Sequence, residues 1–274
     1  MARNSIHLLF ALLVVLTLGT AVHAAEPRGV PNASTMVRVG PGSYRPFYPL
    51  TPGANEIPVP AFLLDVFPVT NAQMLSFVHT NPAWQRGSVG RLFADAAYLS
   101  HWASADQLGA GVDPLQPVVH VSWFAAKAYC TWRGARLPLE QEWEFAAAAG
   151  RRTADGRRDT AYRAQIVDWY SRPNPARLPH VGSTPKNYWG VADLHGLVWE
   201  WVLDFNSTLV SADDREGGDK DKLRFCGAGA LSATDKTDYP SFMRIAMRSS
   251  LRADFTTANL GFRCAQDVTA RRTR

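Results

Sequence analysis

Three cysteines, at positions 130, 226 and 264, are all that this 274-residue chain contains. An odd number permits one bridge and leaves one thiol over, a count that matters in an oxidising compartment. Charge is sparse as well. Asp, Glu, Lys and Arg make up 19% of the residues, the formal net charge is +5, and the only basic run is the terminal Arg271, Arg272 and Arg274. That distribution argues against a nucleic-acid partner and marks residues 268–274 as a solvated basic tail. Long apolar runs are lacking after the first segment, so no membrane partner is expected for the remainder. His79, His101, His120, His180 and His195 are scattered without the spacing of a metal triad. Neither an internal repeat nor a low-complexity block interrupts the chain.

What is present is ample apolar content, 46%, enough to bury a substantial core in one large domain or two small ones. The chain opens with Arg3, an apolar run from Leu8 to Leu18 and the small-residue exit Val22-His23-Ala24. This layout predicts a signal peptide over 1–24, cleaved after Ala24 and directing the protein to the periplasm. The run is well short of the roughly 20 apolar residues a membrane span requires. Cleavage removes one charged residue, Arg3, and takes the net charge from +5 to +4. Residues 25–35 are polar and read as a mobile lead-in.

Short elements are predicted from residue 36 onward. Met36–Val39 and Ile57–Asp65 alternate like strands, punctuated by Pro41, Gly42, Pro52 and Gly53. Thr70 and Gln73 form the two halves of a capping box ahead of a helix whose apolar stripe is Met74, Phe77 and Val78. Ser122 precedes a second helix over 123–133, with Gly134 at its stop. Pro138 fits the first turn of a third, whose Glu140, Glu142 and Glu144 suit the positive end of the helix dipole and which Gly150 ends. Residues 151–190 are turn-rich, and 198–202 read as a strand. The fold class is therefore α+β, irregular and low in regular secondary structure.

Four segments carry a resemblance: FPVTNAQMLSFV (67–78), QPVVHVSWFAAKAYCTWRGARLPLEQEWEFAAAAG (116–150), YWGVADLHGLVWEWV (189–202) and NLGFRCA (259–265). In this order they resemble the sulfatase-modifying factor family, which includes formylglycine-generating enzyme. The resemblance covers about 36–267 and implies a single domain related to the C-type lectin fold. It also implies a bridge between Cys130 and Cys264, while the partners of a second family bridge fall on Ala147 and Ile245 and are both lost. Active members oxidise a substrate cysteine with dioxygen, using a cysteine pair that binds copper(I). The corresponding stretch here, Ala230 to Phe242, contains no cysteine, and Cys226 lies several residues too early. Copper is therefore not expected as a cofactor, and no catalytic residue is assigned.

The resemblance does imply a structural Ca²⁺ site on Asp193, Gly196, Val198 and Glu200, oxygen donors of the hard kind calcium takes. In an extended stretch these donors would face one way and Trp199 and Trp201 the core. Ser232, Asp235, Asp238, Tyr239, Arg244 and Arg248 stand where relatives have their reactive pocket. They are candidates for binding a polar or anionic ligand, with the alternative that Asp235 and Asp238 organise a turn. His120 reads as a hydrogen-bonded core histidine, and His195 as either a surface residue or a pocket member. Within the family, YLSHW, SWFAAKAYC, VADLHGLVWEW and FCGAGALSA most resemble the NirV accessory proteins encoded beside copper nitrite reductase. This implies a maturation role with a protein partner such as that reductase. The alternatives are an oxidoreductase acting without the cysteine pair, as in pyoverdine maturation, and a lectin-like ligand-binding module.

Overall fold

The computed structural model describes residues 35–47, 56–205 and 238–268. The predicted signal peptide, nearly all of the lead-in, Cys226, Ser232, Asp235 and the tail from residue 269 lie outside the described residues. A three-stranded antiparallel sheet joins both ends of the domain. In it β4 (Phe62–Asp65) lies between β1 (Met36–Val39) and β7 (Ala265–Asp267), with Val39 opposite Phe62 and Leu64 opposite Ala265. The continuous strand expected over Ile57–Asp65 is instead two. Pro58 and Pro60 bring no amide donors to a ladder, and the chain breaks at Pro60 and Ala61. The first half, β3 (Ile57–Val59), pairs with β2 (Gly42–Tyr44) in a separate ribbon. Gly42 is required there because a Cβ would sit 2.6 Å from the Phe145 ring.

The helices follow their caps. In α1 (Asn71–Thr80) the Thr70 hydroxyl accepts from Gln73 N and Thr70 N donates to Gln73 Oε1 at 2.9 Å, so both halves of the capping box form. Met74, Phe77 and Val78 are buried as the stripe required, at about 2 kcal/mol of transfer free energy each. Ser122 caps α2 (Trp123–Trp132), and Gly134 adopts φ +68° just beyond it. A disulfide between Cys130 on α2 and Cys264 next to β7 closes across 134 positions of sequence. Ala147 and Ile245, where the second family bridge would fall, are both buried.

Three helices depart from expectation, one of them over Tyr239–Ser249, where none was predicted. The third helix, α3 (Glu140–Ala147), begins later than the sequence suggests, with Pro138 ahead of its cap residue Leu139. Its first amides are satisfied by carboxylates, Leu139 N by Glu142 and Glu140 N by Asp204. The turn-rich reading of 151–190 misses α4 (Thr160–Ser171), capped by Asp159. This helix buries only Ile166, so it lacks the apolar stripe that betrays a helix in sequence. Toward the end, β5 (Trp199–Trp201) pairs in parallel with β6 (Leu260–Phe262), and α5 (Tyr239–Ser249) packs on α4. Trp102, Tyr129, Trp201, Phe62 and Phe262 are among the largest side chains of the core. No helix among the described residues is long and apolar enough to cross a membrane.

Candidate functional site

Two helices carry oppositely charged rungs at i,i+4 spacing, Glu140 and Glu144 on α3 and Arg244 and Arg248 on α5, and the fold presses them together. Arg244 Nη2 reaches Glu144 Oε2 at 2.6 Å and its Nε lies 2.9 Å from Oε1. Arg248 Nη1 donates to the same carboxylate at 2.7 Å and to Glu140 at 3.4 Å. The remaining Arg244 donors go to Tyr170 Oη and Ser241 Oγ. All four charged groups are buried. Burial tends to raise the Glu144 pKa, but the two guanidiniums bring it down to about 2. Glu140 has the longer contact and loses that competition. Burial raises it to about 7, with Arg248 opposing. The three glutamates thus do more than favour the helix dipole, since Glu142 is itself paired with Arg136 at 2.7 Å.

The pair Arg244 and Arg248, expected to offer charge to a ligand, is therefore engaged by Glu144. Asp238 caps α5, accepting from Ser241 N at 3.1 Å and Ser241 Oγ at 2.7 Å, which is the turn-organising alternative. Tyr239 is half exposed at the helix start.

A second buried pair lies behind the first. Arg263 is fully buried on the segment after β6 and donates to both oxygens of Glu200 at 2.7 Å. It also donates to the carbonyls of Asp65, Val66 and Ala192. Trp143 Nε1 adds a third donor to Glu200 at 2.7 Å, while its ring carries the Arg248 guanidinium 4.7 Å above it. Trp199 is half-buried and packs against the edge of the core. It stacks on Tyr170 of α4 at 5.0 Å between centroids and 16° between planes, next to Trp169. Trp201 does enter the core.

These contacts bear on calcium. Asp193, with φ +61°, accepts from Gly182 N and from Thr184 N and Oγ1, and with Gly196 it lines a cavity of about 290 Å³. Val198 and Glu200 line a different crevice, beneath α5. The donor types suit calcium, but as placed the four are divided between two sites and the Glu200 carboxylate is neutralised by Arg263. The larger cavity also takes in His195, half-buried between Trp143 and Tyr162 with Nε2 against the Ala147 carbonyl at 3.1 Å. Burial and the nearby Arg244 lower its pKa to about 3. That cavity is not lined by Asp238, Tyr239, Arg244 or Arg248.

The network joining α3, α4, α5 and the β5–β6 ladder is the domain's polar centre. A family model described as "Sulfatase-modifying factor enzyme 1-like domain" matches residues 21–268. The chain belongs to that family. Among relatives, "Inactive C-alpha-formylglycine-generating enzyme 2" of Mus musculus is 31% identical, with 78% of each chain covered. "Formylglycine-generating enzyme" of Streptomyces coelicolor is 34% identical, covering 79% of this chain and 83% of its own. A solved structure of PvdO from Pseudomonas aeruginosa aligns at TM-score 0.49 and 18% identity, over 86% of this chain and 95% of that one.

Arg263 and the helices α4 and α5 are what sequence reasoning missed. Arg263 had a signal, a lone charge within the apolar run LGFRCA. The complementary i,i+4 rungs on α3 and α5 were equally visible.

Proposed function

We propose that this member of the sulfatase-modifying factor family is an exported accessory or maturation protein of the NirV type, acting on a partner enzyme, with copper nitrite reductase the partner to test first. The observation that carries the reading is the fate of the cysteines. The Cys130–Cys264 bridge takes two of the three, so one thiol per chain is left where thiolate-bound copper(I) chemistry requires a pair. A relative named as inactive supports the view that this scaffold persists without the oxidation. Asp238 caps a helix and Arg244 is ion-paired, so neither is free to replace the missing thiolates. Accessory action requires a surface and a stable frame rather than turnover.

The experiment is deletion of the gene in its host, followed by purification of periplasmic nitrite reductase. Reduced activity and copper content, restored by the gene supplied in trans, are expected. Fully active, copper-replete reductase in the deletion strain removes the proposal.

A further inference from the structure

We propose that His101 and His120 form a two-imidazole site for one divalent first-row transition-metal ion of the Zn²⁺ or Cu²⁺ kind, with solvent as the remaining ligands. The ring centroids lie 5.1 Å apart and the planes are inclined by 35°. Two imidazoles on one tetrahedral ion, with metal–nitrogen bonds of about 2.0 Å and about 1.1 Å more to each ring centre, place their centroids ~5 Å apart. His101 Nδ1, His101 Nε2 and His120 Nδ1 are buried and have no protein hydrogen-bond partner. A buried polar nitrogen left unpaired is costly, and three within one ring pair call for a ligand.

The backbone holds this pair deliberately. Leu99 and His120 are both non-glycine residues in the left-handed region, at φ +46° and +55°, and Leu99 N donates to the His120 carbonyl at 2.9 Å. His120 N is fixed in turn by the Thr257 carbonyl. Gly109 admits the His101 carbonyl, which would lie 2.2 Å from a Cβ at that position. Strained backbone that the surroundings over-determine is a mark of functional positions. Metal binding to imidazole takes the neutral ring. Asp95 brings negative charge near His120, and Arg86 brings positive charge near His101.

The expectation that His120 is a hydrogen-bonded core histidine is not met, since the residue is half-buried and its Nδ1 has no hydrogen-bond partner. The site is independent of the polar centre under α5 and of the partner proposed above.

The test is titration of the untagged, chelator-treated full chain with Zn²⁺ by calorimetry at pH 7, compared with His101→Asn, His120→Asn and His79→Asn. Asparagine tolerates the left-handed conformation at position 120. One Zn²⁺ per chain, at least tenfold weaker in the first two variants and unchanged in the third, is expected. Undiminished binding in either of the first two, or no binding by the parent chain, overturns the proposal. Should a variant fail to fold by circular dichroism, the parent chain with one equivalent of Cu²⁺ decides by electron paramagnetic resonance. Two coordinated imidazole nitrogens support the site, and one or none overturns it.

Discussion

Glu144 binds two guanidiniums at once, and the contact between α3 and α5 turns on it. Removing one partner of a buried ion pair leaves charge uncompensated, so Glu144→Gln is expected to cost about 3 to 5 kcal/mol, read from urea unfolding. Its neighbour one turn earlier behaves oppositely. The folded pKa of Glu140, about 7, lies above the ordinary carboxylate value, so its contribution is fully present below the unfolded pKa and is lost as pH rises through 7. Glu140→Gln is therefore expected to be more stable than the parent at pH 8, by about 1 to 3 kcal/mol, with the gain gone near pH 4. Glu144 has a depressed folded pKa, so its contribution is present above the unfolded value and is lost as pH falls through about 2. Melting curves of the parent and both variants across pH 3 to 9 check the signs. At this scale the sequence displayed the charges and concealed their partners, because Glu144 and Arg244 are brought together across 100 positions by the fold alone.

At the scale of elements, legibility followed local physics. The Thr70–Gln73 box and the Ser122 cap are satisfied within four residues, and the helices they start are where the sequence placed them. The strand over 57–65 was misread because alternation persists through Pro60, whereas strand pairing does not. Helix α4 was invisible because its aromatic residues Trp169 and Tyr170 meet Trp199 on a half-buried face rather than forming a stripe toward the core. Two variants test the elements. Thr70→Ala is expected to cost about 1 kcal/mol through the lost cap. Gly261→Ala should cost more, about 1 to 3 kcal/mol, since a Cβ on β6 would lie 2.6 Å from the Val118 carbonyl, which cannot easily move. Chemical denaturation of both variants orders the two effects, and an equal or reversed order would contradict the account.

For the whole molecule, the resemblance read from four motifs is upheld by the family match over 21–268, and the pairing it implied is present as the Cys130–Cys264 bridge. That bridge ties α2 to the segment leading into β7, so it joins the middle of the chain to its C-terminal strand. Loop-closure entropy over 134 positions assigns it about 4 to 5 kcal/mol. Reduction, or paired Cys130→Ala and Cys264→Ala substitution, is expected to lower the denaturation midpoint accordingly. The candidate pocket was only partly legible, since its arginines are visible in sequence and the carboxylate that engages them is not. The account as a whole rests on a family scaffold whose disulfide leaves too few thiols for copper-dependent cysteine oxidation. Its most direct test is incubation of the purified protein with copper(I), dioxygen and a CxPxR peptide, followed by mass spectrometry. An unmodified cysteine is the predicted result, and conversion of that cysteine to the aldehyde would contradict it.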